Sequence, residues 1–170
     1  RPLVMGRLAD SWVFASETCA LDIVGAVVER EVLPGEIVAV DRHGVRSLMA
    51  LEASPVTRCV FEHVYFARPD SKVFGGSVDR SRRALGRQLA RECPAPTADV
   101  VFAVPDSSNS AALGFAEESR LPYELALIRN HYVGRTFIQP TQAGRNAKVK
   151  VKYNPVREII ALARQHGVPV

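Results

Sequence analysis

Residues 98–119 read Ala98-Asp-Val-Val-Phe-Ala-Val-Pro-Asp-Ser-Ser-Asn-Ser-Ala-Ala-Leu-Gly-Phe-Ala-Glu-Glu-Ser119. Ala98 to Val104 is apolar apart from Asp99, which is the run expected of a strand buried on both faces. Pro105-Asp-Ser-Ser108 breaks that run and leads into a helical period that sets Ala111, Ala112, Phe115 and Ala116 on one side. Upstream, Val78, Leu85 and Leu89 fall at i, i+7 and i+11 with Arg80, Arg83, Arg87 and Arg91 on other faces. This spacing predicts an amphipathic helix over 77–92, closed by Cys93-Pro94. Downstream, Tyr123 to Ile128 predicts a second strand. Helix, strand, helix, strand with short connections is the pattern of a parallel α/β sheet with right-handed crossovers. Regular patterning is then lost from Ile128 to about Tyr153, before a helix expected from Pro155 to His166 and stopped at Gly167.

The first 55 residues follow a different rule. Pro2 to Leu8 and Ser11 to Ala15 are apolar runs divided by Ala9-Asp10, and Ile37 to Val40 is followed by Val45 to Leu51 across Arg42-His43-Gly44. Both patterns predict hairpins. Between them, Ser16-Glu17-Thr18 offers capping hydroxyls to a short helix carrying Ala20, Leu21, Ile23 and Val24. Ala53-Ser-Pro55 marks the expected boundary between a β-rich part, 1–55, and an α/β part, 56–170. Cys59 to Ser71, rich in aromatic residues, is expected to be extended and to end in a turn. The overall class is therefore α/β, or α+β for the chain as a whole.

Composition narrows the function. The 170 residues are 47% hydrophobic and 24% charged, with a mean hydropathy of +0.01, which excludes disorder, collagen and coiled coil. No apolar run approaches the ~20 residues that cross a bilayer, so a soluble, cytoplasmic protein with no membrane partner is expected. Cys19, Cys59 and Cys93 are widely spaced with no Cys-x-x-Cys, which fits neither a disulfide framework nor a self-contained zinc site. The net charge of +4 is concentrated: residues 129–157 hold seven basic side chains and no acid, leaving the remainder slightly acidic. A local positive field of this kind suits a small polyanion rather than a nucleic-acid track.

Two stretches could carry chemistry. A strand, Pro-Asp-Ser-Ser and a helix place unpaired N–H groups and hydroxyls where an anion or a metal-bound water could sit, although Ser107 and Ser108 are equally good helix caps. Arg129-Asn-His-Tyr-Val-Gly-Arg-Thr-Phe-Ile-Gln-Pro140 interleaves two arginines with Tyr132 and Phe137 around Gly134, the parts a mobile cover over a polyphosphate needs. An aromatic core strand with a solvated basic loop would look the same. The four histidines have no partner at metal or dyad spacing, and Cys59 reads by itself as a buried small apolar residue.

Five blocks, in order along the chain, carry a resemblance. They are Ser16-Glu-Thr-Cys-Ala-Leu-Asp22 with Pro34-Gly-Glu36, Cys59-Val-Phe-Glu-His-Val-Tyr-Phe-Ala-Arg-Pro-Asp-Ser71, Val104-Pro-Asp-Ser-Ser108, Asn130-His-Tyr-Val-Gly-Arg-Thr-Phe-Ile-Gln-Pro140 and Lys152-Tyr-Asn-Pro-Val-Arg157. They resemble the glutamine phosphoribosylpyrophosphate (PRPP) amidotransferase family from residue 1 to about residue 158. The resemblance implies the first step of purine biosynthesis. Glutamine is hydrolysed in an Ntn-type domain, and the ammonia passes to a type I phosphoribosyltransferase domain where it displaces pyrophosphate from PRPP. The fold implied is the end of an Ntn glutaminase β layer joined to part of a parallel phosphoribosyltransferase sheet, in a protein that is a homo-oligomer when intact.

Carried over by residue, the resemblance implies Ser107 as a magnesium ligand and Cys59 as one ligand of the [4Fe-4S] cluster of one branch of the family. It makes Arg129 to Pro140 the lid, with Arg135 and Tyr132 catalytic, Arg129, Arg135, Asp106 and Ser108 binding PRPP, and Tyr65 and Phe137 along the ammonia passage. Arg129 stands where lysine is common. The family's amino-terminal catalytic cysteine and its strand signature of four apolar residues followed by two adjacent acids have no counterpart here, since the sole adjacent acid pair, Glu117-Glu118, lies in a helical pattern. The chain is accordingly expected to be a middle segment without turnover of its own. A salvage-type phosphoribosyltransferase and a non-catalytic PRPP-binding module are the competing expectations.

Overall fold

Ala9-Asp10 brings the first two apolar runs together. In the computed structural model, which describes residues 2–51, 57–134 and 140–165, β1 (Val4–Leu8) and β2 (Ser11–Ala15) pair antiparallel from Val4↔Ala15 to Leu8↔Ser11. Helix α1 (Thr18–Val24) follows and ends on Gly25, whose positive φ of 74° closes the last turn. The chain then returns as β3 (Val27–Glu31) along the other edge of β1, giving the order β2-β1-β3. Leu21 of α1, fully buried, meets Val4 and Ala26 in the core. Gly6 permits the close approach: a Cβ there would lie 2.6 Å from the Val27 carbonyl oxygen and 2.9 Å from Leu21 Cδ1.

A second hairpin, β4 (Glu36–Asp41) with β5 (Gly44–Met49), turns where Asp41 Oδ1 accepts from the His43 N–H at 2.7 Å and Gly44 takes a φ of 116°. Glu36 ties its base to β3. Its carboxylate accepts a fork from Arg30 at 2.6 and 2.9 Å, the Leu33 N–H at 2.7 Å and the Ser47 hydroxyl. These donors, Arg30 first and Ser47 next, hold the Glu36 carboxyl at about 2, far below its ordinary range.

The expected extended course of Cys59–Ser71 is not what forms. Glu62–Phe66 is one π-helical turn, in which the Ala67 N–H donates to the Glu62 carbonyl. Burial overrides the strand preference of its aromatic and β-branched residues: Glu62 turns inward at 2% exposure, and Ala67 joins Val73 and Val78 in a second small core. Short strands β6 (Lys72–Val73) and β7 (Gly76–Ser77) then lead into helix α2 (Val78–Glu92). The chain divides into two compact units, Arg1–Ser81 and Arg82–Val170, at a point inside α2. The boundary expected at 55/56 falls outside the described residues.

Within the second unit, α2 crosses helix α3 (Asn109–Ser119) with backbone nearly touching backbone. A Cβ on Gly86 would fall 1.8 Å from the Ala111 carbonyl oxygen, and one on Gly114 would fall 2.1 Å from that of Arg83. Arg83 and Arg87 both donate to Glu117, and Arg91 forks onto Glu118, whose carboxyl those arginine contacts pull down. Arg83, Arg87 and Arg91, expected on faces other than the apolar one, thus zip α2 to α3.

The strand expected at 98–104 is reduced to a single parallel bridge, Val101↔Tyr123, and Phe102 and Val104 are 44% and 55% exposed. A strand buried on both faces needs a layer on each, and here residues 100–104 line an apolar groove of about 470 Å³ with Leu89 of α2 and Ala111, Ala112 and Phe115 of α3. Nor does 123–128 continue the pair. The strand there is β8 (Leu127–Arg129), antiparallel to β9 (Tyr153–Pro155). Residues 129–153, expected to lack regular structure, contain helix α4 (Gln142–Lys152). Thr141 caps it by accepting from the Gly144 N–H at 3.1 Å, and its alanines, lysines and arginine favour a helix without an apolar stripe that would announce one. Helix α5 (Arg157–Gln165) follows as expected.

Candidate functional site

The second unit gathers the polar residues of the Pro105-Asp-Ser-Ser108 turn. Ser108 occupies the N-cap position of α3 without capping it: its hydroxyl donates instead to the Val104 carbonyl. Ser107 is half-buried, and its hydroxyl makes no hydrogen bond among the described residues. Both serines therefore leave the α3 N–H groups uncapped by side chains, and Ser107 keeps an oxygen for a ligand. The Asp106 carboxylate is ion-paired to Arg129 of β8, so it reaches the site as a neutralised pair rather than as a free acid. Arg129 Nε is shielded from solvent with no acceptor among the described residues. A small cavity of about 160 Å³ lies between Asp106, Asn109, Tyr123, Arg129 and His131.

Tyr132 is fully exposed in the turn after β8, where the Asn130 side chain accepts from its N–H at 3.0 Å. The expected roles of Arg135 and Phe137 lie outside the described residues. Arg145, Lys148, Lys150 and Lys152 all ride on α4, so the basic segment is partly a helix rather than a loop. The structure thus brings Asp106, Ser107, Ser108 and Arg129 together, and sequence reasoning missed Tyr153, whose hydroxyl donates to the Pro105 carbonyl at 3.1 Å.

In the first unit, Tyr65 is 59% exposed, with its ring edge-on to Phe66. Cys59, expected to be buried when read by itself, is exposed and free. Cys93 is also free and exposed, while Cys19 is buried beside the Glu17 carboxylate. No group of three or more His, Cys, Asp or Glu side chains among the described residues could hold a metal. A four-iron cluster needs about four cysteine ligands and does not fit this set. Magnesium keeps most of its shell as water and phosphate oxygens, so one hydroxyl at Ser107 fits it as a partial ligand.

No family model matches the chain. Curated relatives do. The amidophosphoribosyltransferase of Mycobacterium tuberculosis is 53% identical over 160 residues, which is 94% of this chain and 30% of the relative. The chloroplastic amidophosphoribosyltransferase 1 of Arabidopsis thaliana is 53% identical over 161 residues, 94% of this chain and 28% of that one. Among solved structures, the glutamine PRPP amidotransferase of B. subtilis, complexed with ADP and GMP, superposes with a TM-score of 0.82 at 49% identity, over 94% of this chain and 35% of that chain. Over 94% of its length the chain is similar to a segment of these amidophosphoribosyltransferases.

It spans about a third of the length of the relatives it matches. Within that span, two blocks that the sequence reading kept apart are joined. The Glu17 carboxylate accepts from the Arg68 N–H at 2.8 Å and the Ser71 hydroxyl at 3.0 Å, and the Thr18 hydroxyl accepts from the Lys72 N–H at 2.8 Å. Glu17 and Thr18, expected to serve a local cap, instead fix the end of the aromatic block; the N-cap is Glu17, with no side-chain capping bond. No local signal in the sequence points to contacts more than fifty residues apart.

Proposed function

We propose that the protein is an amidophosphoribosyltransferase that transfers glutamine-derived ammonia to PRPP, giving phosphoribosylamine and opening purine biosynthesis. The observation that carries this reading is the likeness to the B. subtilis amidotransferase in both fold and sequence across nearly all of the chain. On this reading residues 1–55 belong to the end of an Ntn-type glutaminase, and residues 56–170 to a type I phosphoribosyltransferase sheet whose remaining strands the described residues do not supply. The protein is cytoplasmic and homo-oligomeric; among the described residues no helix is long and apolar enough to cross a membrane.

The chemistry is displacement at the anomeric carbon of PRPP. The ammonia lone pair forms the C–N bond as the C–O bond to pyrophosphate breaks through an oxocarbenium-like state, the electron pair leaves with the pyrophosphate, and the ammonium formed gives one proton to the departing pyrophosphate or to water. The second unit would hold that leaving group with the α3 N–H groups, the basic side chains of 129–157 and the Ser107 hydroxyl, and with Ser108 once its hydroxyl releases the Val104 carbonyl. Ser107 would hold magnesium in part, and the ion would supply neutralisation of phosphate charge when bound. By the family resemblance, Arg129, Asp106 and Arg135 would bind the substrate, Tyr132 and Arg135 would belong to the lid at 129–140, and Tyr65 and Phe137 are each assigned to the ammonia passage. Cys59, which the resemblance makes one cluster ligand, has no partner ligands among the described residues, and no step runs through a cluster.

The test is pyrophosphate release from PRPP by the full-length protein, with glutamine and with ammonia. Release with both supports the reading. Release with ammonia alone points to a transferase without glutaminase activity, and PRPP binding with no release points to a non-catalytic module; either result overturns it.

A further inference from the structure

Arg129 and Tyr153 are direct cross-strand partners in the β8–β9 pair. Residues opposite one another in an antiparallel ladder project from the same face, so the two side chains leave together. They land on consecutive residues: the Arg129 guanidinium on the Asp106 carboxylate and the Tyr153 hydroxyl on the Pro105 carbonyl at 3.1 Å. The ladder beneath them is closed at both ends, by the Asn130 N–H to the Lys152 carbonyl at 2.7 Å and the Val156 N–H to the Ala126 carbonyl at 2.9 Å. Proline has no N–H, which leaves the Pro105 carbonyl as that residue's one backbone hydrogen-bonding group. Immediately after it, the Asn109 N–H donates to the Asp106 carbonyl and the Ala112 N–H to that of Ser108, so the turn continues without slack into α3.

We propose that Tyr153 is a positioning residue: its hydroxyl, paired with the Arg129 contact, clamps the Pro105-Asp-Ser-Ser108 turn to the β8–β9 ladder and so sets where the Ser107 hydroxyl stands. The role rests on the reading of that turn as part of the PRPP site. A packing role alone does not account for the geometry, because the ring would serve packing equally well without its hydroxyl. Removing the hydroxyl frees one end of the turn and leaves the ion pair to hold the other.

Tyr153→Phe in the full-length protein isolates the hydroxyl. One neutral hydrogen bond is worth a factor of about three to ten, so amide exchange at residues 107–110 should quicken by that factor while exchange in β1 and β3 is unchanged. The KM for PRPP should rise by the same factor, with kcat held within about twofold, because the bond shapes binding before any charge moves. Unchanged exchange across 107–110 overturns the clamp. Faster exchange with an unchanged KM, in a protein that turns PRPP over, overturns its role in the site. If the unsubstituted protein releases no pyrophosphate, the functional reading fails and the exchange result alone decides the clamp.

Discussion

The two units hold themselves together in opposite ways. The first buries a large side chain, Leu21, between a sheet and a short helix, and adds polar anchors from Glu17, Thr18 and Glu36. The second brings two helices so close at Gly86 and Gly114 that there is no room for a side chain, and ties their rims with arginine–glutamate pairs. One unit is therefore vulnerable to losing atoms and the other to gaining them.

Leu21→Ala should cause the largest loss, about 3–5 kcal/mol from a side chain with no exposure, read as the unfolding midpoint followed by Trp12 on β2. A loss below about 1 kcal/mol would mean that Leu21 is not the keystone of the first unit. Gly86→Ala should cost about 1–3 kcal/mol, because the added methyl meets the Ala111 carbonyl and the helices must part. The loss should appear in the helical circular-dichroism signal and leave Trp12 unmoved. A neutral or stabilising Gly86→Ala would remove the contrast between the units.

Glu36 sharpens the comparison through pH. Its folded-state carboxyl sits near 2 against an ordinary 4.5, so its contribution is complete above the ordinary value and is lost as pH falls from there towards 2. The denaturation midpoint of the unsubstituted chain should therefore fall more steeply between pH 5 and pH 2.5 than that of Glu36→Gln; equal slopes would contradict the anchor. The smallest effect is expected of Glu117→Gln. Its two arginine partners are solvent-accessible, and the loss should stay within about 1 kcal/mol at low salt and shrink at high salt.

What could be read from the sequence follows the range of the contacts. Both hairpins, α2 and α3 announce themselves because the residues that decide them are neighbours or lie one helical turn apart. Strand β3 gives no such sign, since Val27-Val28 runs straight into Glu29-Arg30-Glu31 and its pairing with β1 is made across α1. The π turn at Glu62–Phe66 hides behind strand-forming residues, and α4 behind a charged surface with no buried residue. At the site, Asp106, Ser107 and Arg129 were legible as parts of family blocks. The Tyr153 contact, 48 residues from Pro105, and the engagement of Asp106 by Arg129 depend on the β8–β9 pairing, which no periodicity in so short a pair reveals.

The proposed PRPP-binding role of the turn at 105–108 and of the basic stretch 129–157 is tested most directly by calorimetric titration of the 170-residue chain with PRPP and magnesium. Weak binding is expected at low salt, weaker at physiological ionic strength, where charges are screened over about 8 Å, and further weakened by Ser107→Ala and by Arg135→Ala. Absence of binding at low salt, or binding indifferent to salt and to both substitutions, would contradict it.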